Sequence, residues 1–193
     1  MVVKKKISPK QVGIILKPKT VTEYTSLLPN LASWLKRRKI TIAFHENQKE
    51  RVSKIFKNKT DAIIFINEKE MHLKNDLNVT LGGDGTLLGF GRKSQKNSAP
   101  ILGVNMGNLG FITEYPKSEF FDALEDIIKN SIEIIKIPLF KAVVKKKGKV
   151  LFQSCFLNDA VINKNDISRM FTLNVECEEQ NVYQLSGDGL IIG

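Results

Sequence analysis

Apolar residues along the chain change their period several times, and each change marks an element. The stretch 12–16 (Val-Gly-Ile-Ile-Leu) is a short β-branched run closed by Lys17-Pro18, which predicts a strand. Tyr24, Leu27, Leu28, Leu31, Trp34 and Leu35 then recur at helical spacing and predict one amphipathic helix. Residues 40–44 alternate as a strand does, and 51–56 return to helical spacing. The segment 61–66 reads as an apolar strand and 77–81 as another, in a sheet covered on both faces. This alternation predicts a parallel sheet with helices on both sides. Further on, 101–105 reads as another strand. Residues 118–129 read as a helix with Phe120, Phe121, Leu124, Ile127 and Ile128 on its apolar face and Ser118 as its N-cap.

The texture changes near residue 130. Stretches 132–137, 140–145, 150–158, 160–163, 171–177 and 182–185 are short and strand-like, separated by turn residues such as Lys147-Gly148. They predict an antiparallel β region. The expected organisation is an α/β, Rossmann-like domain with a parallel sheet over 1–130, then a β-rich, sandwich-like domain over 131–193. The final run Leu190-Ile191-Ile192-Gly193 carries no cap, turn or polar tail, so the second domain is expected to be incomplete in this chain.

Composition narrows the class. With 42% hydrophobic and 26% charged residues over 193 positions, the chain falls among globular rather than disordered proteins. No apolar stretch approaches the roughly 20 residues of a membrane helix. The basic N-terminus is not followed by the apolar segment of a signal peptide, so a cytoplasmic protein without membrane partner is expected. Cys155 and Cys177 form no Cys-x-x-Cys pair, and with His45 and His72 they are too scattered for a zinc site. A metal, if used, would be oxygen-bound, such as Mg²⁺. The net charge of +10 comes in short clusters (Lys4 to Lys6, Lys36 to Lys39, Lys145 to Lys147 with Lys149), which suit anionic partners or simply solvated faces. No nucleic-acid motif accompanies them, and no nucleic-acid partner is expected.

The candidate chemistry sits where a strand ends and a helix opens, at Gly82-Gly83-Asp84-Gly85-Thr86. Glycines let a backbone take positive φ and let an anion reach its N–H groups, while the following helix offers free donors and a positive dipole end. That describes a phosphate cradle. Asp84 repels phosphate, so it suits a Mg²⁺ ion or a hydroxyl proton; the alternative is a tight turn with Asp84 as cap. P-loop and dinucleotide fingerprints are both absent. A second glycine cluster, Gly103-Val104-Asn105-Met106-Gly107-Asn108-Leu109-Gly110-Phe111, follows the next strand, and in a parallel sheet both loops leave the same edge. Phe111 either packs on a base or ribose or plugs the core. Asn158-Asp159 interrupts an apolar run and suits ribose hydroxyls or a bulge or turn, and Asp188 between Gly187 and Gly189 carries the same ambiguity.

In order and spacing, these blocks together with Leu157-Asn158-Asp159-Ala160-Val161 and Gly187-Asp188-Gly189-Leu190-Ile191-Ile192 resemble the ATP-dependent NAD kinase family. The pentapeptide alone is shared with diacylglycerol and sphingosine kinases. The resemblance implies transfer of the γ-phosphate of ATP to the 2′-hydroxyl of the adenosine ribose of NAD, with Mg²⁺ carried by ATP or touched by Asp84. It implies Asp84 as base or orienting acceptor, and Gly82, Gly83, Gly85 and Thr86 against phosphates. Gly85, Phe111, Asn158, Asp159 and Asp188 would contact NAD, and the complete protein would be a homo-oligomer. Two alternatives stand beside it: an inactive fragment or non-catalytic nucleotide-binding module of that family, and a lipid kinase of the diacylglycerol type.

Overall fold

The computed structural model describes residues 2–18, 22–107, 110–113, 115–164 and 170–193. After β1 (Val2–Lys6) the chain alternates β2 (Gln11–Leu16), α1 (Tyr24–Arg37), β3 (Thr41–His45), α2 (Lys49–Ile55), β4 (Ile63–Ile66), α3 (Glu68–Leu73), β5 (Leu77–Gly82), α4 (Asp84–Gly91) and β6 (Ile101–Asn105). The short β7 (Tyr115–Pro116), α5 (Phe120–Lys129) and β8 (Ser131–Ile135) follow. Strands β2 to β7 form one six-stranded sheet in the order β4-β3-β2-β5-β6-β7, and every pairing is parallel. The chain starts at the middle, builds outward to β4, then returns to the other side of β2. The reversal lies between β2 and β5, the kind of point at whose carboxyl edge open α/β sheets bind ligands.

The apolar runs read from the sequence occupy this sheet because its strands are covered on both faces. β5 is buried at every position. From α1, Tyr24, Leu28, Leu31 and Leu35 are fully excluded from solvent, and Val52 of α2 and Phe120 and Leu124 of α5 join the same core. Burying each such side chain contributes roughly 1.5–3 kcal/mol, enough that helical spacing alone fixes which faces of α1 and α5 turn inward.

Differences from the sequence reading lie at the margins. Ser118 does not cap α5; it sits in a 3₁₀ turn over Lys117–Glu119, and Glu119 occupies the cap position without a side-chain bond. The six-residue α3 is too short to display a period, yet it carries a capping box in which Asn67 accepts from the Glu70 amide at 3.0 Å and Glu70 accepts from the Asn67 amide at 3.3 Å. β1 pairs antiparallel with β8, Val2 opposite Ile135 and Lys6 opposite Ser131, so the basic run 4–6 lies in an exposed strand. Through this pairing β8 belongs with the α/β part. The chain divides into two compact units, Met1–Pro138 and Leu139–Gly193, and the boundary expected near 130 falls before β8.

The second unit is β-rich, as expected: β9 (Phe140–Lys146), β10 (Lys149–Phe156), β11 (Ala160–Asn163), β12 (Phe171–Cys177), β13 (Gln180–Gly187) and β14 (Gly189–Ile192). Its hydrogen bonding makes three antiparallel pairs, β9–β10, β12–β13 and β11–β14. Lys147 and Gly148 turn the first hairpin with φ of 47° and 77°, the left-handed geometry a two-residue hairpin loop demands. Among the described residues, no helix is long and apolar enough to cross a membrane.

Candidate active site

Gly82 ends β5 in register with Asn105 at the end of β6, and Asn105 in turn lies opposite Pro116 of β7. The two glycine clusters therefore leave the sheet side by side, as parallel topology requires. The amide of Met106 donates to the carbonyl of Gly82 at 2.6 Å and joins the two loops at their roots. The preceding carbonyl, of Leu81, accepts from the buried Tyr24 hydroxyl at 2.5 Å and from the Lys17 amide at 3.1 Å. The β5-to-α4 turn is thus anchored from β2's exit loop and from α1.

The glycines work by size rather than by unusual torsions. Among the described glycines only Gly148 has positive φ, so the expectation that Gly82, Gly83 or Gly85 takes a left-handed conformation is corrected. A Cβ on Gly82 would overlap the Thr86 hydroxyl, which folds back over that position. A Cβ on Gly83 or Gly85 would meet nothing within 4 Å. Packing does not call for glycine at those two positions; they leave the backbone bare toward open space at the N-terminal end of α4, where the helix dipole and unpaired amides favour an anion.

Asp84 is the first residue of α4, with Gly83 as N-cap and no side-chain cap bond. The capping alternative is therefore not what its carboxylate does. Instead it reaches across to the second glycine loop. Oδ2 accepts from the Phe111 amide at 2.7 Å; Oδ1 accepts from the Thr113 amide at 2.9 Å, the Thr113 hydroxyl at 2.8 Å and, more weakly, the Ile112 amide at 3.3 Å. Gly110 makes the approach possible, because a Cβ there would overlap the carboxylate. The Thr113 amide and then its hydroxyl hold the Asp84 carboxyl below its ordinary range; partial desolvation opposes them, and the Phe111 and Ile112 amides add to the lowering.

Behind this contact runs a short relay. The Asn105 side-chain amide donates to the Thr113 hydroxyl at 3.0 Å, and its oxygen accepts from the Gly107 amide at 2.9 Å. Both Asn105 and Thr113 are buried. Thr113 was not singled out from the sequence, and Asn105 entered only as part of a glycine-rich block. The one available signal was a hydroxyl residue just past Phe111 in a loop bound for the Asp84 edge.

Phe111 is fully exposed, so the core-plug alternative is excluded, and its ring stands free beside the carboxylate that its own amide contacts. The remaining predicted residues lie in the second unit. Asn158 and Asp159 form the exposed bend between β10 and β11, where the Asn158 amide donates to Asp159 Oδ2 at 2.9 Å. Asp188 lies at the bend before β14 and forms an ion pair with Lys164 at 2.6 Å. In the β11–β14 ladder Ala160 pairs with Ile192 and Asn163 with Gly189, so Asn158-Asp159 and Asp188 occupy opposite ends of that pair. Asn108, in the second glycine block, lies outside the described residues. Among the described residues no three His, Cys, Asp or Glu side chains converge as metal ligands.

A doubly wound sheet with a glycine-rich, carboxylate-bearing turn at its reversal point defines a nucleotide- or phosphate-handling α/β protein. Comparison with known proteins sharpens this. Residues 12–132 match the ATP-NAD kinase N-terminal domain family, and the chain belongs to that family. It is 34% identical to an NAD kinase of Solibacter usitatus (strain Ellin6076), over 95% of this chain and 61% of that protein. It is 40% identical to an NAD kinase of Acidovorax sp. (strain JS42), over 61% of this chain and 39% of that one. Among solved structures, a yeast NADH kinase complexed with NADH superposes with a TM-score of 0.80 at 20% identity, over 97% of this chain and 57% of that chain. This last likeness is one of fold. The chain thus spans at most about 60% of the length of the curated relatives named here.

Proposed function

We propose that this chain carries the phosphoryl-transfer part of an NAD kinase, in which the γ-phosphate of ATP passes to the 2′-hydroxyl of the adenosine ribose of NAD. The observation that carries the reading is the Asp84 carboxylate, held by four donors at the sheet's reversal point beside the bare backbone of Gly83 and Gly85. With its pKa lowered, Asp84 is a weak base that stays ionised, and its carboxylate serves as a charged hydrogen-bond acceptor. It therefore orients the ribose hydroxyl for in-line attack and stabilises its developing positive charge more than it withdraws the proton early. Phosphoryl transfer through a loose transition state requires no more, since positioning and electrostatics supply most of the acceleration.

In this reading Gly82, Gly83, Gly85 and Thr86 face phosphates at the α4 N-terminus, and Phe111 stacks on the adenosine. Asn158, Asp159 and Asp188 hydrogen-bond NAD. A divalent cation such as Mg²⁺ would come bound to ATP and would neutralise phosphate charge; the described residues offer it no cluster of three or more His, Cys, Asp or Glu ligands. The unpaired Cys155 and Cys177 suit the reducing cytoplasm. Exposed Val144, Leu151, Phe152, Val161 and Ile191 in the second unit support assembly into a homo-oligomer that covers them.

The test is NADP formation from NAD and MgATP, with NAD affinity measured by calorimetry. Asp84→Asn should lower turnover by about 10²–10⁴-fold while NAD affinity changes little; near-normal turnover of that variant refutes the role of Asp84. A second reading is a non-catalytic dinucleotide-binding module of the same family. It predicts NAD binding without NADP. The lipid-kinase alternative gains nothing from the matched family.

A further inference from the structure

Asp84 needs more than proximity to work as an acceptor: one of its oxygens must be open and aimed. The contacts of the carboxylate divide unequally between the two. Oδ1 receives the Thr113 amide, the Thr113 hydroxyl and the Ile112 amide, whereas Oδ2 receives the Phe111 amide alone among the described residues. A carboxylate oxygen accommodates about two donors well. Oδ1 is saturated, and Oδ2 keeps a lone pair.

The Thr113 hydroxyl is the one member of this set whose direction is not fixed by the backbone, and Asn105 fixes it. The amide of Gly107 can only donate, so the Asn105 oxygen must face Gly107 and its NH₂ must face Thr113. Receiving that N–H, the Thr113 oxygen has its single proton left for Asp84 Oδ1. The chain Gly107 amide, Asn105, Thr113, Asp84 therefore has one consistent sense along its length, which strengthens each bond in it, and its two middle members, Asn105 and Thr113, are buried.

We propose that Thr113, itself oriented by Asn105, is a positioning residue that loads Asp84 Oδ1 and so leaves Oδ2 as the oxygen that receives the substrate hydroxyl. The proposal rests on the reading of Asp84 as that acceptor. Backbone amides alone would hold the 110–113 loop to α4; the hydroxyl adds the rotational fix on the carboxylate, because it approaches Oδ1 from the side chain rather than along the line of amides. Asn105 also ends β6, so the relay ties the acceptor's orientation to the end of a central sheet strand.

The test compares Thr113→Val, which keeps shape and loses the donor, with Thr113→Ser, which keeps the donor, and uses Asp84→Asn as reference. In NADP formation, Thr113→Val should lower kcat about thirtyfold with the KM for NAD within about twofold, and Thr113→Ser should stay within about threefold of the parent. An unchanged kcat in Thr113→Val overturns the proposal, and so does a parallel loss in Thr113→Ser, which would mark a packing role. If Asp84→Asn keeps its turnover, the reading of Asp84 itself has failed; if Asp84→Asn is inactive and Thr113→Val is normal, only the positioning role has. Amide hydrogen exchange on the same proteins needs no turnover and decides the matter if the chain forms no NADP. The Phe111 amide should exchange about tenfold faster in Thr113→Val and at the parental rate in Thr113→Ser; equal rates in all three overturn the proposal.

Discussion

Gly110 and Asp84 lie so close that a single methyl group on Gly110 would occupy the space of the Asp84 carboxylate. The contact joins two loops that are separated in sequence by the whole of β6, and it makes the absence of a side chain at one position the condition for the orientation of a side chain at another. Substituting Gly110 by Ala should push the carboxylate off Oδ1's donors without touching any core residue. The expected result is a loss of turnover of at least about tenfold, with the far-ultraviolet circular dichroism of the sheet unchanged. Parental kinetics in Gly110→Ala would show that the approach is not needed.

The lowered Asp84 pKa predicts how the fold responds to acid. A carboxyl whose folded pKa lies below its ordinary 3.8 contributes stability that is fully present above 3.8 and is lost as pH falls through the folded value. The difference in Tm between the parent and Asp84→Asn should accordingly be constant from pH 7 to about pH 4.5 and narrow below pH 3.8. A difference that already narrows between pH 7 and pH 5 contradicts the assignment of these four donors.

His72 responds in a different window. It is 2% exposed, lies stacked on Phe90 with ring centroids 4.1 Å apart, and neither ring nitrogen has a partner among the described residues. Burial lowers its pKa from the ordinary 6.5, Glu68 on its own helix opposes the shift, and Lys93, which pairs with Glu68 at 2.6 Å, adds to it. Since the unfolded chain takes up the proton first, stability should be complete above pH 6.5 and fall as pH drops below it. His72→Phe keeps the stacked ring and removes the titration, so its Tm should change less between pH 7 and pH 5 than the parent's; equal slopes would refute this.

Phe111 separates binding from folding. Its ring is fully exposed and absent from the core, so Phe111→Ala should leave unfolding within about 0.5 kcal/mol of the parent. If the ring stacks on the adenosine as proposed, NAD affinity should drop about tenfold or more, in line with the roughly 1–3 kcal/mol of base–aromatic stacking. Calorimetry with NAD distinguishes the two effects. Unchanged affinity would remove Phe111 from the site.

Much of this architecture follows from the order of residues alone. The segments 12–16, 61–66, 77–81 and 101–105 identify strands because apolar residues predominate where a sheet is covered on both faces, although β5 also buries Asn78 and Thr80, and α1 and α5 show their inward faces through a 3.6-residue period. Placing Gly82-Gly83-Asp84-Gly85 at the end of a strand required only that alternation. Parallel pairing then put the second glycine block at the same edge. What stayed hidden has a common cause. β1 pairs with β8 across almost the whole first unit, and α3 is held by an end cap too local to create a period. Asp84 could be read as a cap, a base or a metal ligand, because a carboxylate's role is decided by which donors reach it. Those donors, Phe111, Ile112 and Thr113, arrive through the packing of a neighbouring loop over Gly110. Periodicity reports burial, which each residue carries in its own side chain; hydrogen-bond partnership belongs to pairs distant in sequence, and only the folded sheet brings them within reach of one another.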